Sequence, residues 1–144
     1  MATRSTIAVK VSDDLILQVY CHWDGYLDHN GKILFKHYNS PAKAAILVAG
    51  GDISVLAPTP FPAEKQSKHT FDNPDEGVVV YYGRDRHEPG TFPKVFKSHD
   101  DFLRHRMGEE YDYYFDGEAW YVTADGLGKN QPLFIMLANK GIEL

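Results

Sequence analysis

Apolar and polar positions alternate from the start of the chain. Ser5, Ile7, Val9 and Val11 interleave with Thr6, Ala8 and Lys10, the pattern of a strand with one buried face. Ser12-Asp13-Asp14 reads as a tight turn, and Leu15, Leu17, Val19 and Cys21 carry the alternation along a return strand, so an antiparallel hairpin is expected. Gln18, Tyr20 and His22 then point to the opposite face. At Tyr20-Cys21-His22-Trp23-Asp24-Gly25-Tyr26 the strand pattern ends, and this stretch reads as a strand-to-helix turn. Asn30, Ile33, Leu34, His37 and Tyr38 fall at helical spacing, predicting a helix over 27–38. Ser40 and Pro41 form a helix start and Gly50-Gly51 a stop, predicting a second helix over 41–49.

Four prolines and mostly polar neighbours between 57 and 76 predict a long irregular loop or arm, of the kind used for ligand binding or subunit contact when ordered. Val78-Val79-Val80-Tyr81-Tyr82 is continuously apolar, which places it as a central strand. Ser98 and Asp101 approximate a capping box for a helix carrying Phe102, Leu103 and Met107. A second hairpin is expected over 111–123, turning at Asp116-Gly117. The segment 132–140 reads as a helix closed by Gly141, with a strand as the alternative. The expected order is ββααβαββα: a single α+β domain over 1–144, with an antiparallel or mixed sheet of about five strands and three to four helices on one face.

Composition narrows the function classes. Hydrophobic residues at 43% and charged residues at 24% describe an ordinary globular chain. A formal charge of −5 argues against sequence-independent nucleic-acid binding, while leaving room for a local basic site for one small anion. The single cysteine excludes an intrachain disulfide. The polar opening Met1-Ala2-Thr3-Arg4 and the lack of a long apolar run predict a cytoplasmic protein with no membrane span.

Candidate chemistry gathers in two places. After the strand at 78–82, Tyr82, Arg84 and Arg86 would share one face if the chain stays extended. Two guanidinium groups beside a ring suit a phosphate-bearing, nucleotide-like ligand. The alternative is that these arginines pair with the chain's own carboxylates. In the opening turn, His22 and Asp24 are spaced for an acid–base pair, and Trp23 and Tyr26 could stack on a base. Equally, Trp23 is a core anchor and Asp24 a helix cap. Arg4 could assist an anion from the first strand. The seven histidines show no HExxH or CxxC spacing, so neither metal nor cofactor is expected, and no nucleophile motif is present.

The motifs Thr3-Arg4-Ser5-Thr6-Ile7-Ala8, Val19-Tyr20-Cys21-His22-Trp23-Asp24-Gly25-Tyr26, Gly31-Lys32-Ile33-Leu34 with His37-Tyr38, Gly50 with Asp52-Ile53-Ser54, Tyr82-Gly83-Arg84-Asp85-Arg86, and Phe115-Asp116-Gly117 with Trp120-Tyr121-Val122 span most of the chain. Through them the sequence resembles a family of small uncharacterised proteins of tailed bacteriophages and prophages. The resemblance implies a context, an accessory protein in an infected bacterial cytoplasm, and no activity. With the residues above, three expectations follow: a homo-oligomeric, non-catalytic protein sequestering a small anionic nucleotide-like signal; a protein inhibitor of a host enzyme; or a small phosphoester hydrolase using His22 and Asp24.

Overall fold

The computed structural model describes residues 2–64 and 67–144; Lys65 and Gln66, within the segment expected to be a loop, lie outside it, as does Met1. The chain opens with the hairpin β1 (Ser5–Ser12) and β2 (Leu15–Cys21), paired antiparallel with Ile7 opposite Val19. A π-helical turn (Leu27–Gly31) runs into α1 (Lys32–His37), and α2 (Pro41–Ala49) follows. The Ser40 side chain accepts the Lys43 N–H at the start of α2, with Pro41 in the first helical position.

Next come β3 (Ile53–Val55), β4 (Val80–Tyr81), α3 (Tyr82–Arg86) and β5 (Lys94–Phe96). The chain closes with α4 (His99–His105), β6 (Tyr111–Phe115), β7 (Trp120–Ala124), β8 (Gly128–Pro132) and α5 (Leu133–Asn139). The strands form one sheet in the order β4-β3-β2-β1-β6-β7-β8, with β5 also paired to β2. Pairing is mixed: β1 with β6 and β2 with β3 are parallel, and the other pairs are antiparallel.

This corrects the expected fold in number and layout. The described residues form an eight-stranded mixed sheet and five helices, not about five strands and three to four helices. The added strands are short or polar. Three-residue β3 and β5 show no period, and β8 (Gly-Lys-Asn-Gln-Pro) has almost no β propensity and is held by its pairing with β7. The stretch expected as the central strand supplies only Val80 and Tyr81 to the sheet, at its edge, because the chain turns helical at Tyr82. Its apolarity reflects burial of Val78 to Tyr81 beside the helices and the Pro-containing segment rather than a central position.

Helices also cover both faces rather than one. Ile7, Val9, Val19, Cys21, Tyr113 and Phe115 face a large core with Leu34, Leu47 and Leu137 of α1, α2 and α5. Ala8 and Ile16 face the other way, into a smaller core with Phe96 and Phe102 of α4. Among the described residues no helix is long and apolar enough to cross a membrane.

Candidate functional site

The turn after β2 is built by close approach and by one buried amide. His22 N–H and Trp23 N–H donate to the carbonyls of Ile53 and Ser54, extending the parallel pairing past Cys21. Gly25 N–H donates to Thr3 O, and a Cβ at Gly25 would lie 2.8 Å from Ser5 Cβ and 2.9 Å from Thr3 O, so only glycine fits. Fully buried Asn30 donates to Ser5 Oγ, Cys21 Sγ and Trp23 O, and Tyr113 Oη donates to Gly25 O at 2.7 Å. The π-helical turn lets Asn30 reach all three.

On this frame Trp23 is 42% exposed and meets the His22 ring edge-on at 4.7 Å. His22 and Asp24 make no hydrogen bond to each other among the described residues. His22 Nδ1 takes Tyr20 Oη at 2.7 Å, and Asp24 Oδ1 accepts from Tyr26 Oη at 3.3 Å.

The hairpin register pairs Ser5 with Cys21 and Thr6 with Tyr20, so Arg4, just before β1, and His22, just after β2, stand at the same end of the hairpin. Burial raises the Tyr20 phenol, nearby Arg4 opposes the shift, and Tyr82 adds to it. Arg4, Tyr20, His22 and Tyr82 therefore share one end of the sheet. Asp52 belongs there too. Asp52 Oδ1 accepts the Tyr20 N–H, and burial raises its carboxyl. The alternation along β2 puts Tyr20 on the face of His22, but its Asp52 partner precedes β3, a strand too short to show in the sequence pattern.

The two arginines part company. Helical turning at α3 puts Tyr82 and Arg86 on one side, at i and i+4, and Arg84 on another. Arg86 lies over the Phe71 ring at 4.8 Å, and Phe71 packs on Tyr82 with ring centroids 5.6 Å apart. Arg84 is occupied by the chain itself: Nε and Nη2 donate to Asp85, Nη1 to Pro60 O and Nη2 to Val79 O. Its plane covers Tyr81 at 4.8 Å. His69 Nδ1 accepts the Asp75 N–H, which leaves the ring hydrogen on Nε2 to donate to Asp85 Oδ2 at 3.1 Å. The arginine thus clips the Pro-containing segment to the sheet edge. A Cβ at Gly83 would lie 2.8 Å from Thr91 Oγ1, so a side chain there would make the Thr91 hydroxyl turn aside.

A different basic site lies between the helices and that clipped segment. Lys36 and His37 at the end of α1, Lys43 and Ile46 of α2, and Pro58 to Phe61 enclose a groove of about 440 Å³. Tyr38 Oη donates to Ala57 O at 2.7 Å, and Trp120 Nε1 donates to Tyr38 O, fixing the wall. No lining residue is acidic. Burial lowers the His37 imidazole, and the charges of Lys36 and Lys43 lower it further. The Phe61 ring is 60% exposed. The sequence carries a signal for this site: no acid occurs between Asp28 and Asp52 on a chain with net charge −5.

No group of histidine, cysteine, aspartate or glutamate side chains suited to a metal occurs among the described residues. Compared with known proteins, the chain matches no family model, no curated protein and no solved structure.

Proposed function

We propose that the protein binds and sequesters a small anionic, nucleotide-like molecule without turning it over, as a bacteriophage accessory protein acting in the infected cell. The observation that carries this reading is the acid-free groove, where Lys36, His37 and Lys43 face one space without a carboxylate. Burial chiefly lowers the His37 imidazole and the charges of Lys36 and Lys43 lower it further, a repulsion that a bound anion would relieve. Phe61 and the proline faces offer flat apolar surface for a base, and about 440 Å³ lies within the usual range for ligand sites.

The test is calorimetry with a panel of linear, cyclic and ADP-ribose-type nucleotides. Binding should weaken with added salt and be lost in Lys36→Glu with Lys43→Glu. Because a bound anion favours the charged imidazole, affinity should rise as pH falls, with proton uptake that depends on buffer ionisation heat and disappears in His37→Gln. Absence of heat across the panel would reject the reading.

A second reading, inhibition of a host protein, draws on Trp23. It is a half-exposed indole on a rigid turn, and tryptophan is enriched among interface hot spots. Trp23→Ala should then abolish co-purification of one host protein and leave nucleotide binding unchanged.

A further inference from the structure

A second, chemically different cavity of about 210 Å³ lies between α4 and the sheet's other face. Phe102 of α4 and Tyr114 of β6 stack at 5.3 Å and supply its apolar wall. Arg106, just beyond α4, and Lys129 of β8 bring positive charge, and Asp112 of β6 brings negative charge. The Asp112 position follows from the register, which aligns Thr6, Asp112 and Thr123 across three strands on one face.

These charges do not pair. Among the described residues neither Arg106 nor Lys129 makes an ion pair with Asp112 or any other carboxylate. Asp112 Oδ1 accepts from Thr6 Oγ1 at 2.7 Å and from the Glu109 N–H at 3.0 Å, and its second oxygen takes no hydrogen bond from the described residues. Burial raises the Asp112 carboxyl above its ordinary value, while its hydrogen bonds and the charge of Arg106 oppose the shift. Opposite charges share one half-enclosed space and leave a gap between them.

We propose that this cavity binds a small zwitterion of the α-amino acid type, with its carboxylate on Arg106 and Lys129 and its ammonium on Asp112. A simple anion would meet Asp112, and Glu109 and Glu110 line the adjoining depression. A simple cation would meet Arg106 and Lys129. A neutral apolar molecule would displace water from three charges without replacing its hydrogen bonds. Size agrees: the cavity falls below the about 300 Å³ at which drug-sized sites begin. An apolar side chain on the ligand would rest on Phe102 and Tyr114.

The experiment titrates the protein with free amino acids, N-acetyl amino acids and amino-acid amides at millimolar concentration, following the Tyr114 and Thr123 resonances. Free amino acids should give saturable shifts, and each capped form should bind at least about tenfold more weakly. Arg106→Gln should weaken the free acid and remove discrimination against the amide. Asp112→Asn should remove discrimination against the N-acetyl form. Lys36→Gln with Lys43→Gln should leave all of this unchanged, which separates this site from the nucleotide groove. Thermal melting checks that Asp112→Asn is folded; if it is not, Arg106→Gln alone decides. Unmoved resonances, or capped forms that bind as well as free ones, would overturn the proposal.

Discussion

Asp85 stands between the two arginines that drew attention to phosphate, and it explains why one of them is not free. Its side chain is 4% exposed and accepts from Arg84 Nε, Arg84 Nη2, the Tyr81 N–H and His69 Nε2. Burial alone would raise this carboxyl, but the Arg84 hydrogen bonds, the Tyr81 N–H, the Arg84 charge and His69 together hold it below its ordinary value of 3.8. A carboxyl depressed in the folded state contributes stability that is complete above the unfolded value and lost as pH falls through the folded one. Acid should therefore release the segment around His69 and Phe71 below about pH 4, seen as faster amide exchange there. Asp85→Asn should remove that acid sensitivity and destabilise the protein by about 3 kcal/mol in urea titrations, because Arg84 loses its charged partner. The Arg-Asp-Arg run was visible in the sequence. Which carboxylate Arg84 meets, and that Pro60 and Val79 supply carbonyls to it, depends on residues up to 24 positions away and on a helical turn that the apolar run before it masked.

At the scale of elements, legibility followed length and capping. The first hairpin, the turn at 20–26, the helix opened by Ser40 and Pro41, the helix capped by Ser98 and the hairpin over 111–123 all carry several agreeing local signals, whereas the apolar run 133–137 suits helix and strand alike. The strands β3, β5 and β8 carry none, since two are three residues long and the third is polar; they are strands because β2 and β7 offer them open hydrogen-bonding edges. For the candidate sites the limit was the same. Lys36, His37 and Lys43 lie on consecutive helices, and they line a groove because Tyr38 holds Ala57 and Arg84 holds Pro60, which sets 58–61 as its other wall. The turn itself can be tested as a unit. Gly25→Ala should push against Thr3 and Ser5, and Asn30→Ala should leave several buried groups unpaired, costing about 1–3 kcal/mol. Both should raise exchange across 22–31 more than in α2, and equal acceleration throughout would contradict a locally built turn.

At the largest scale the described residues form two cores separated by one sheet, and β1 and β2 contribute to both. Leu47→Ala opens the larger core and Phe102→Ala the smaller, each expected to cost about 3 kcal/mol. Because the same two strands form the floor of each, both substitutions should lower a single unfolding transition in calorimetry. A separate early transition in Phe102→Ala would mean that α4 is an independent cover. Folding should be slow for this size, because the central β1–β6 pairing joins residues 106 positions apart, as in the Thr6–Asp112 contact.

The lone cysteine gives this architecture an internal clock. Cys21 is fully buried, its thiol is pushed up to about 11 by burial, and Sγ is held by Asn30. Only the thiolate reacts with alkylating reagents, so in the closed protein the group is both unreachable and in its inert form. Every alkylation event must then follow an opening of the large core. The rate of a single colour-forming thiol reaction, on the unmodified protein, reads how often that core opens. Ligands that bind the groove of Lys36, His37 and Lys43 should slow that rate in proportion to their occupancy.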